Sequence, residues 1–203
     1  MKLNKLEFLA MNNPIRRSIQ EQYELKILRE MTSLRKPQLV LEIGCGSGNG
    51  CRLIKEYFSP SNIIGIDLDE KMVEKALKRT TDSSISYRVM DASHLDFPDQ
   101  HFDAVFDFGI IHHIPNWKDC LGEISRVLKP SGELILEDMS IDSFANGIGG
   151  LWRLLSVHPY ESMYTTEQFT DFLNEIGLTV VHFKKSNPLH LLKFFSLTAV
   201  KTR

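Results

Sequence analysis

The sequence predicts an α/β fold, a mostly parallel, doubly wound sheet with helices on both faces. Three observations predict it. Short apolar runs of strand length alternate with stretches of helical periodicity, which calls for parallel pairing through right-handed crossovers. The first run, Val40 to Ile43, stops in a glycine-rich loop over residues 44–48, and a helix-patterned stretch follows. The next two runs each end on an acid, Asp67 and Asp91, which this topology brings to one sheet edge. At 203 residues the chain fits one domain, large enough to bury roughly 70% of the surface it exposes when unfolded.

Pro14 to Leu34 carries Ile15, Ile19, Tyr23, Ile27, Leu28 and Met31 on one helical stripe that ends before Pro37. The run at 39–43 is the aliphatic kind that a sheet buries on both faces. Cys51 to Phe58 has apolar positions at helical spacing and is closed by Ser59 and Pro60. Ile63 to Asp67 is the second strand. Asp69 caps the helix that runs to Arg79, with Lys78 and Arg79 at its negative end. Ser86 to Asp91 and Phe102 to Phe108 are the third and fourth strands. The helix from Trp117 to Leu128 stops at Pro130 and Gly132, and Glu133 to Glu137 is the fifth strand. Residues 140–164 break the rhythm, with Gly147, Gly149 and Gly150 beside Leu151, Trp152, Leu154 and Leu155. Thr165 to Gln168 has a capping-box pattern, and Gly177 ends that helix. Leu178 to Lys184 and Phe194 to Lys201 are the last two strands.

Hydrophobic residues at 42% and charged ones at 25% are ordinary globular values. A formal net charge of −2 gives no electrostatic reason to expect nucleic acid or an anionic membrane as partner. Cys45, Cys51 and Cys120 form no Cys-x-x-Cys pair and have no histidine at metal spacing, so reduced packing thiols, a cytoplasmic protein and no metal are expected. The N-terminal apolar stretch is short and broken by Glu7, unlike a signal peptide, and no run reaches the ~20 apolar residues of a membrane span.

Glycines at 44, 46 and 48 permit positive φ and close approach of a ligand to the main chain. The dinucleotide fingerprint G-x-G-x-x-G requires glycine where Asn49 stands. Asp67, about 20 residues past the loop, is placed to accept both ribose hydroxyls, or else to cap the following helix. Asp91 is placed to accept from an adenine amine, or else to cap a local turn.

In these stretches the chain resembles the class I S-adenosylmethionine-dependent methyltransferases, within them the small-molecule branch that includes the ubiquinone/menaquinone-type enzymes. VLEIGCGSG is similar to the family's first motif and IIGIDLDEKMVEKA to the second, whose acid is Asp67. VMDASHLDFPDQHFDAVFDFGIIHHI resembles the adenine-binding and fourth-strand motifs, and LGEISRVLKPSGELILED the passage into the fifth strand. The likeness is close over 38–139. It implies a Rossmann-like seven-stranded sheet whose last two strands form an antiparallel hairpin. It implies one domain over 1–203, with an N-terminal helical cap (1–37), a cofactor-binding core (38–139), a lid (140–164), and a C-terminal helix and hairpin (165–203).

The resemblance also implies S-adenosylmethionine as cofactor and S-adenosylhomocysteine as its product. Gly44, Gly46 and Gly48 would contact it, with Glu42 near its amino-acid end, Asp67 on the ribose, Leu68 against the adenine and Asp91, beside Ala92, on the adenine amine. The Asp107 backbone carbonyl would meet the ammonium group, and its carboxylate is a candidate for touching substrate. His112 and His113 would face the acceptor, where an imidazole takes a proton. His113 is the first candidate, and packing is the alternative for both.

The acceptor pocket is expected from Arg16, Arg17, Gln20 and Tyr23 and from Phe144, Trp152, His158, Tyr160 and Tyr164. The apolar segment 147–155 is a candidate lid, then an interface, then a membrane contact. Asp107-Phe-Gly-Ile replaces the Asn/Asp-Pro-Pro-Tyr motif of nucleic-acid amine methyltransferases. The expected function is in-line methyl transfer to a small-molecule acceptor, with no nucleic-acid partner and no stable membrane insertion. The alternatives are an NAD(P)-dependent oxidoreductase, disfavoured by Asn49 and Asp91, and a catalytically silent protein that binds the same cofactor.

Overall fold

In the computed structural model, which describes residues 21, 25–145, 159–187 and 193–202, apolar runs and helical stripes resolve into alternating strands and helices. In chain order these are α1 (Leu25–Glu30), β1 (Leu39–Ile43), α2 (Asn49–Phe58), β2 (Asn62–Asp67), α3 (Glu70–Arg79), β3 (Ile85–Val89) and β4 (Phe102–Phe108). There follow α4 (Trp117–Val127), β5 (Leu128–Asp138), α5 (Thr166–Glu175), β6 (Leu178–Ser186) and β7 (Phe194–Lys201). Short 3-10 turns lie at Ile111–His113, Ile141–Phe144 and Tyr160–Ser162.

The strands form one seven-stranded sheet in the order β3-β2-β1-β4-β5-β7-β6. Strands β1 to β5 pair in parallel, and β7 is antiparallel to both β5 and β6. The chain leaves β1 toward β2 and β3, then crosses back to place β4 on the other side of β1. That reversal opens a crevice at the carboxyl ends of β1 and β4, where doubly wound sheets receive ligands.

Alternation along the strands builds a core on each face. Leu41, Ile43, Val105, Leu134, Leu136 and Leu197 point toward α4 and α5, meeting Leu121, Ile124, Phe169 and Leu173. Val40, Ile63, Ala104, Phe106 and Ile135 point the other way, onto Leu25 and Leu28 of α1, Leu53 and Ile54 of α2, and Val73 and Ala76 of α3. Both capping devices form: Asp69 accepts from Lys71 N at 3.0 Å, and Thr165 and Gln168 exchange a reciprocal pair.

The differences from expectation are local. β5 starts at Leu128, not Glu133, because Leu128 pairs with Phe102 before the chain kinks outward and re-enters register at Ala104↔Glu133. Ser131, at φ 65°, carries that kink. β3 ends at Val89, so Asp91 lies just beyond the ladder; Met90 N still reaches Asp67 O at 3.1 Å. Within the expected helix at Pro14–Leu34, Leu25–Glu30 is helical, while Arg16, Arg17, Gln20 and Tyr23 lie outside the described residues, as do 147–155 with Trp152, and His158.

Candidate functional site

The glycine loop is held from below by β2. Cys45 N donates to Ile66 O at 2.9 Å and Gly46 N to the Asp67 carboxylate at 2.8 Å. Gly44, Gly46 and Gly48 all adopt positive φ, at 64°, 52° and 85°. Their surroundings differ. A Cβ on Gly44 would come within 2.6 Å of Ile110 and one on Gly48 within 2.5 Å of the Tyr87 hydroxyl, whereas a Cβ on Gly46 would meet nothing among the described residues within 4 Å. Gly44 and Gly48 are therefore tied to packing, and Gly46 borders open space.

Asp67 and Glu42 flank that space. Among the described residues each Asp67 oxygen accepts one backbone N–H, from Gly46 and from Asp69, both at 2.8 Å, which leaves each with a lone pair. Burial pushes this carboxyl up, and the two N–H bonds oppose the rise. Glu42 is fully buried beneath the loop, so close to Gly50 that a side chain there would collide with it. Its Oε2 has no hydrogen-bond partner among the described residues. Burial pushes the Glu42 carboxyl up to about 7, against hydrogen bonds from Cys51 and with a further rise from Asp67.

Toward β3 the edge is open. Leu68 is 43% exposed, unusual for a leucine beside a buried strand. Asp91 is exposed and takes the N–H and hydroxyl of Ser93 on one oxygen, at 2.9 and 2.7 Å. Partial burial raises its pKa, but those bonds outweigh it and bring the carboxyl below its usual range. Ala92 is half-buried against the core. Cys45 and Cys51 are buried, and burial followed by the Glu42 charge pushes both thiols well up, which suits packing rather than nucleophilic attack.

At the ends of β4 and β5 the edge is closed. The Asp107 carboxyl is fully buried, accepts from Ile110 N at 2.8 Å, and adjoins Asp138. Burial, then the Asp138 charge, raises its pKa well above the ordinary value. Sequence reading offers this carboxylate as a candidate for touching substrate; in the fold Ile110 N engages Oδ1, Asp138 adjoins it, and Oδ2 has no hydrogen-bond partner among the described residues. His112 and His113 are both buried, and their rings lie 4.1 Å apart. His112 Nδ1 bonds Asp138 Oδ1, and His112 N donates to Oδ2 at 3.1 Å. Tyr164 Oη donates to Oδ2 at 2.7 Å and Met139 N to Oδ1 at 2.7 Å.

Sequence reading missed Asp138. One signal was available: it ends the strand beside β4, at the same edge that supplied the other acids. Of the expected acceptor-side residues, Phe144 and Tyr160 pack ring to ring at 5.2 Å, and Tyr164 lies in an aromatic cluster with Trp117 and Phe169.

Residues 41–136 match the family described as a methyltransferase domain. Phosphoethanolamine N-methyltransferase 2 of Caenorhabditis elegans is 29% identical over 170 residues, which cover 81% of this chain and 38% of the relative. A ubiquinone/menaquinone biosynthesis C-methyltransferase of Desulfotalea psychrophila is 27% identical over 166 residues, covering 72% and 68%. The chain thus spans well under half of the first of these two relatives. The putative methyltransferase solved with the Haloferax volcanii Trm112 activator superposes with a TM-score of 0.81 at 17% identity, covering 98% of this chain and 95% of that one; this likeness establishes the fold. The methyltransferase-domain match over residues 41–136 and the seven-stranded, mostly parallel sheet together support a class I S-adenosylmethionine-dependent methyltransferase.

Proposed function

We propose that the protein is an S-adenosylmethionine-dependent methyltransferase acting on a small-molecule acceptor by in-line transfer. One observation carries this reading: open space above Gly46 is bordered by Asp67, whose two oxygens each keep a lone pair for a ribose hydroxyl. The other donors and surfaces fit the same cofactor. The exposed Leu68 offers an apolar face to the adenine, Asp91 has one oxygen not engaged by Ser93 for the amine, and Ala92 lets the ring lie close. Glu42 Oε2, buried beside the loop, suits the cationic amino-acid end, and the Asp107 backbone lies at the β4 end of the crevice. No observation favours a nicotinamide reading, and Asn49 stands against it.

Bound there, the cofactor supplies a methyl group already activated on a sulfonium. The protein's part is to hold, align and dry the site. Positioning of this kind supplies ~7–11 kcal/mol of a barrier, and exclusion of water strengthens it. His112 and His113, at the β4 end of the crevice, are the groups that would take a proton from the acceptor.

The segment 140–164 is assigned as a lid. Its ends are drawn together at the sheet edge, because Ile141 N donates to Tyr164 O at 3.0 Å. Residues 1–37 are assigned as a cap over the acceptor. The three free, buried thiols support a reducing compartment, the cytoplasm. The net charge of −2 supports a small molecule rather than nucleic acid as partner. No helix among the described residues is long and apolar enough to cross a membrane.

The test is calorimetry with S-adenosylhomocysteine, followed by incubation of labelled S-adenosylmethionine with a fractionated metabolite extract. Binding, and one extract species heavier by a methyl group, are expected. Absence of binding would overturn the reading; binding without transfer to any fraction would point to the silent alternative.

A further inference from the structure

Beyond the end of the glycine loop lies a cavity of about 440 Å³, between α2 and the turn that joins α3 to β3. Of the residues assigned to the cofactor only Gly48 lines it; Asp67, Leu68 and Asp91 do not. A space of this size takes a small organic molecule. Three cations line it, Arg52 and Lys55 from α2 and Arg79 from the end of α3.

The charges around this cavity are unevenly matched. Arg52 is divided between Glu56 at 3.0 Å and Glu21 at 3.6 Å. Lys55 and Arg79 have no carboxylate within ion-pair distance among the described residues. Lys55 Nζ donates to Pro60 O and Arg79 Nη1 to Ser47 Oγ, each at 2.8 Å, so most of the N–H groups on both remain unused. The second acid of the lining, Asp82, takes the N–H and hydroxyl of Ser84 on one oxygen, and Lys55 acts on it only through space. Ser47 Oγ accepts from Arg79 and so keeps its own O–H to donate. Two unpaired cations and a hydroxyl suit a group that carries several acceptor oxygens on one centre. A phosphate monoester presents three, where a carboxylate presents two in one plane.

We propose that this cavity is a second binding site, for the phosphate group of a small phosphomonoester, and that its occupancy steadies the glycine loop. Arg79 is the link, because the guanidinium that lines the cavity also holds Ser47. The same turn braces the next residue: the Tyr87 hydroxyl bonds Thr80 Oγ1 at 2.9 Å and reaches Gly48 O at 3.5 Å. An anion that fixes Arg79 therefore restrains the loop as well. By linkage the phosphomonoester and the cofactor raise each other's affinity by the same factor. That mutual effect rests on the methyl-transfer reading; the phosphate site and the loop response do not.

The test is calorimetry on the full chain with glycerol 3-phosphate, inorganic phosphate and acetate, in ~0.15 M salt to screen diffuse attraction. Amide hydrogen exchange at Ser47 and Gly48 is followed beside it. Glycerol 3-phosphate should bind with a Kd below ~1 mM, inorganic phosphate more weakly, and acetate more weakly still. Arg79→Gln and Lys55→Gln should each weaken it by ~5-fold or more. Lys78→Gln, which alters an exposed lysine of α3 outside the cavity, should not. Bound glycerol 3-phosphate should slow exchange at both loop amides, and Ser47→Ala should remove that slowing while leaving binding within ~2-fold of the parent. S-adenosylhomocysteine should then bind ~5-fold more tightly to the loaded protein. No binding, an equal loss in Lys78→Gln, or acetate binding as tightly as the phosphomonoester overturns the site. Inorganic phosphate binding alone overturns the phosphomonoester, and unchanged loop exchange overturns the link through Arg79. A parent that binds glycerol 3-phosphate but not S-adenosylhomocysteine removes the methyl-transfer reading and leaves this site standing.

Discussion

The two halves of the sheet's carboxyl edge are built on opposite terms. At the end of β5 the carboxylate of Asp138 is saturated: it is fully buried and engaged by two groups on each oxygen, one of them the hydroxyl of Tyr164, which lies in an aromatic cluster with Trp117 and Phe169. At β1 to β3 the polar groups are half satisfied: one donor per oxygen on Asp67, one occupied oxygen on Asp91, and a leucine in the open. A saturated buried carboxylate contributes to stability and geometry, because any loss strands several donors. A half-satisfied one near solvent keeps valence for a ligand. Substitutions should therefore reduce stability on one side and affinity on the other.

The largest expected effect lies on the closed side. Asp138→Ala strands the buried N–H of His112, the half-buried N–H of Met139, the Tyr164 hydroxyl and the His112 ring, and should cost about 3–5 kcal/mol. Urea unfolding measures it; a loss below ~1 kcal/mol would mean that water or neighbouring groups replace the carboxylate easily, and the contrast would fail.

Glu42 lies between the halves and should act with the opposite sign. Its carboxyl is held at about 7 in the folded protein against an ordinary 4.5. Between these values the unfolded chain has released a proton that the folded chain keeps. Stability therefore falls as pH rises from 4.5 to 7 and stays level above, a total of about 3 kcal/mol. Glu42→Gln removes that penalty. The variant should match the parent at pH 4 and exceed it by about 3 kcal/mol at pH 8, while binding S-adenosylhomocysteine more weakly. Urea midpoints across pH check the sign; a difference independent of pH would show that Glu42 does not titrate in this window.

On the open side, Asp67→Ala should weaken S-adenosylhomocysteine binding by ~100-fold, about 3 kcal/mol, since charge-assisted bonds to both ribose hydroxyls go. Stability should fall by only about 1 kcal/mol for the two N–H groups left to solvent. Calorimetry separates the two: unchanged affinity would take Asp67 out of the ligand site.

The open half was legible in sequence, and of the closed half Asp107, His112 and His113 were but Asp138 was not, for a physical reason. Gly44 to Gly48, Asp67 and Asp91 announce themselves through short-range requirements: positive φ, and strands that end on acids. The parallel sheet was legible too, since Leu41, Ile64 and Val105 had to be buried wherever they paired. Asp138 acts only through contacts made on folding, with His112 26 residues before it and Tyr164 26 residues after. No local pattern marks such a partner. The early start of β5 was hidden likewise, because Pro130 and Gly132 read as a turn although Leu128 already pairs with Phe102.

The finest test of the contrast is at Gly46, where two glycines of the same loop should part company. Both Gly44 and Gly46 have positive φ, so alanine strains either by about 1 kcal/mol. At Gly44 the added methyl also drives into Ile110, and stability should fall further. At Gly46 it enters open space, so the loss should stop at about 1 kcal/mol. That space is where the cofactor is assigned, so Gly46→Ala should also cut S-adenosylhomocysteine affinity by ~10-fold or more, out of proportion to its effect on folding. Urea unfolding and calorimetry on the same two variants give both quantities. If Gly46→Ala loses stability but binds as the parent does, no ligand approaches the main chain there, and the open edge would have to be explained by something other than the cofactor.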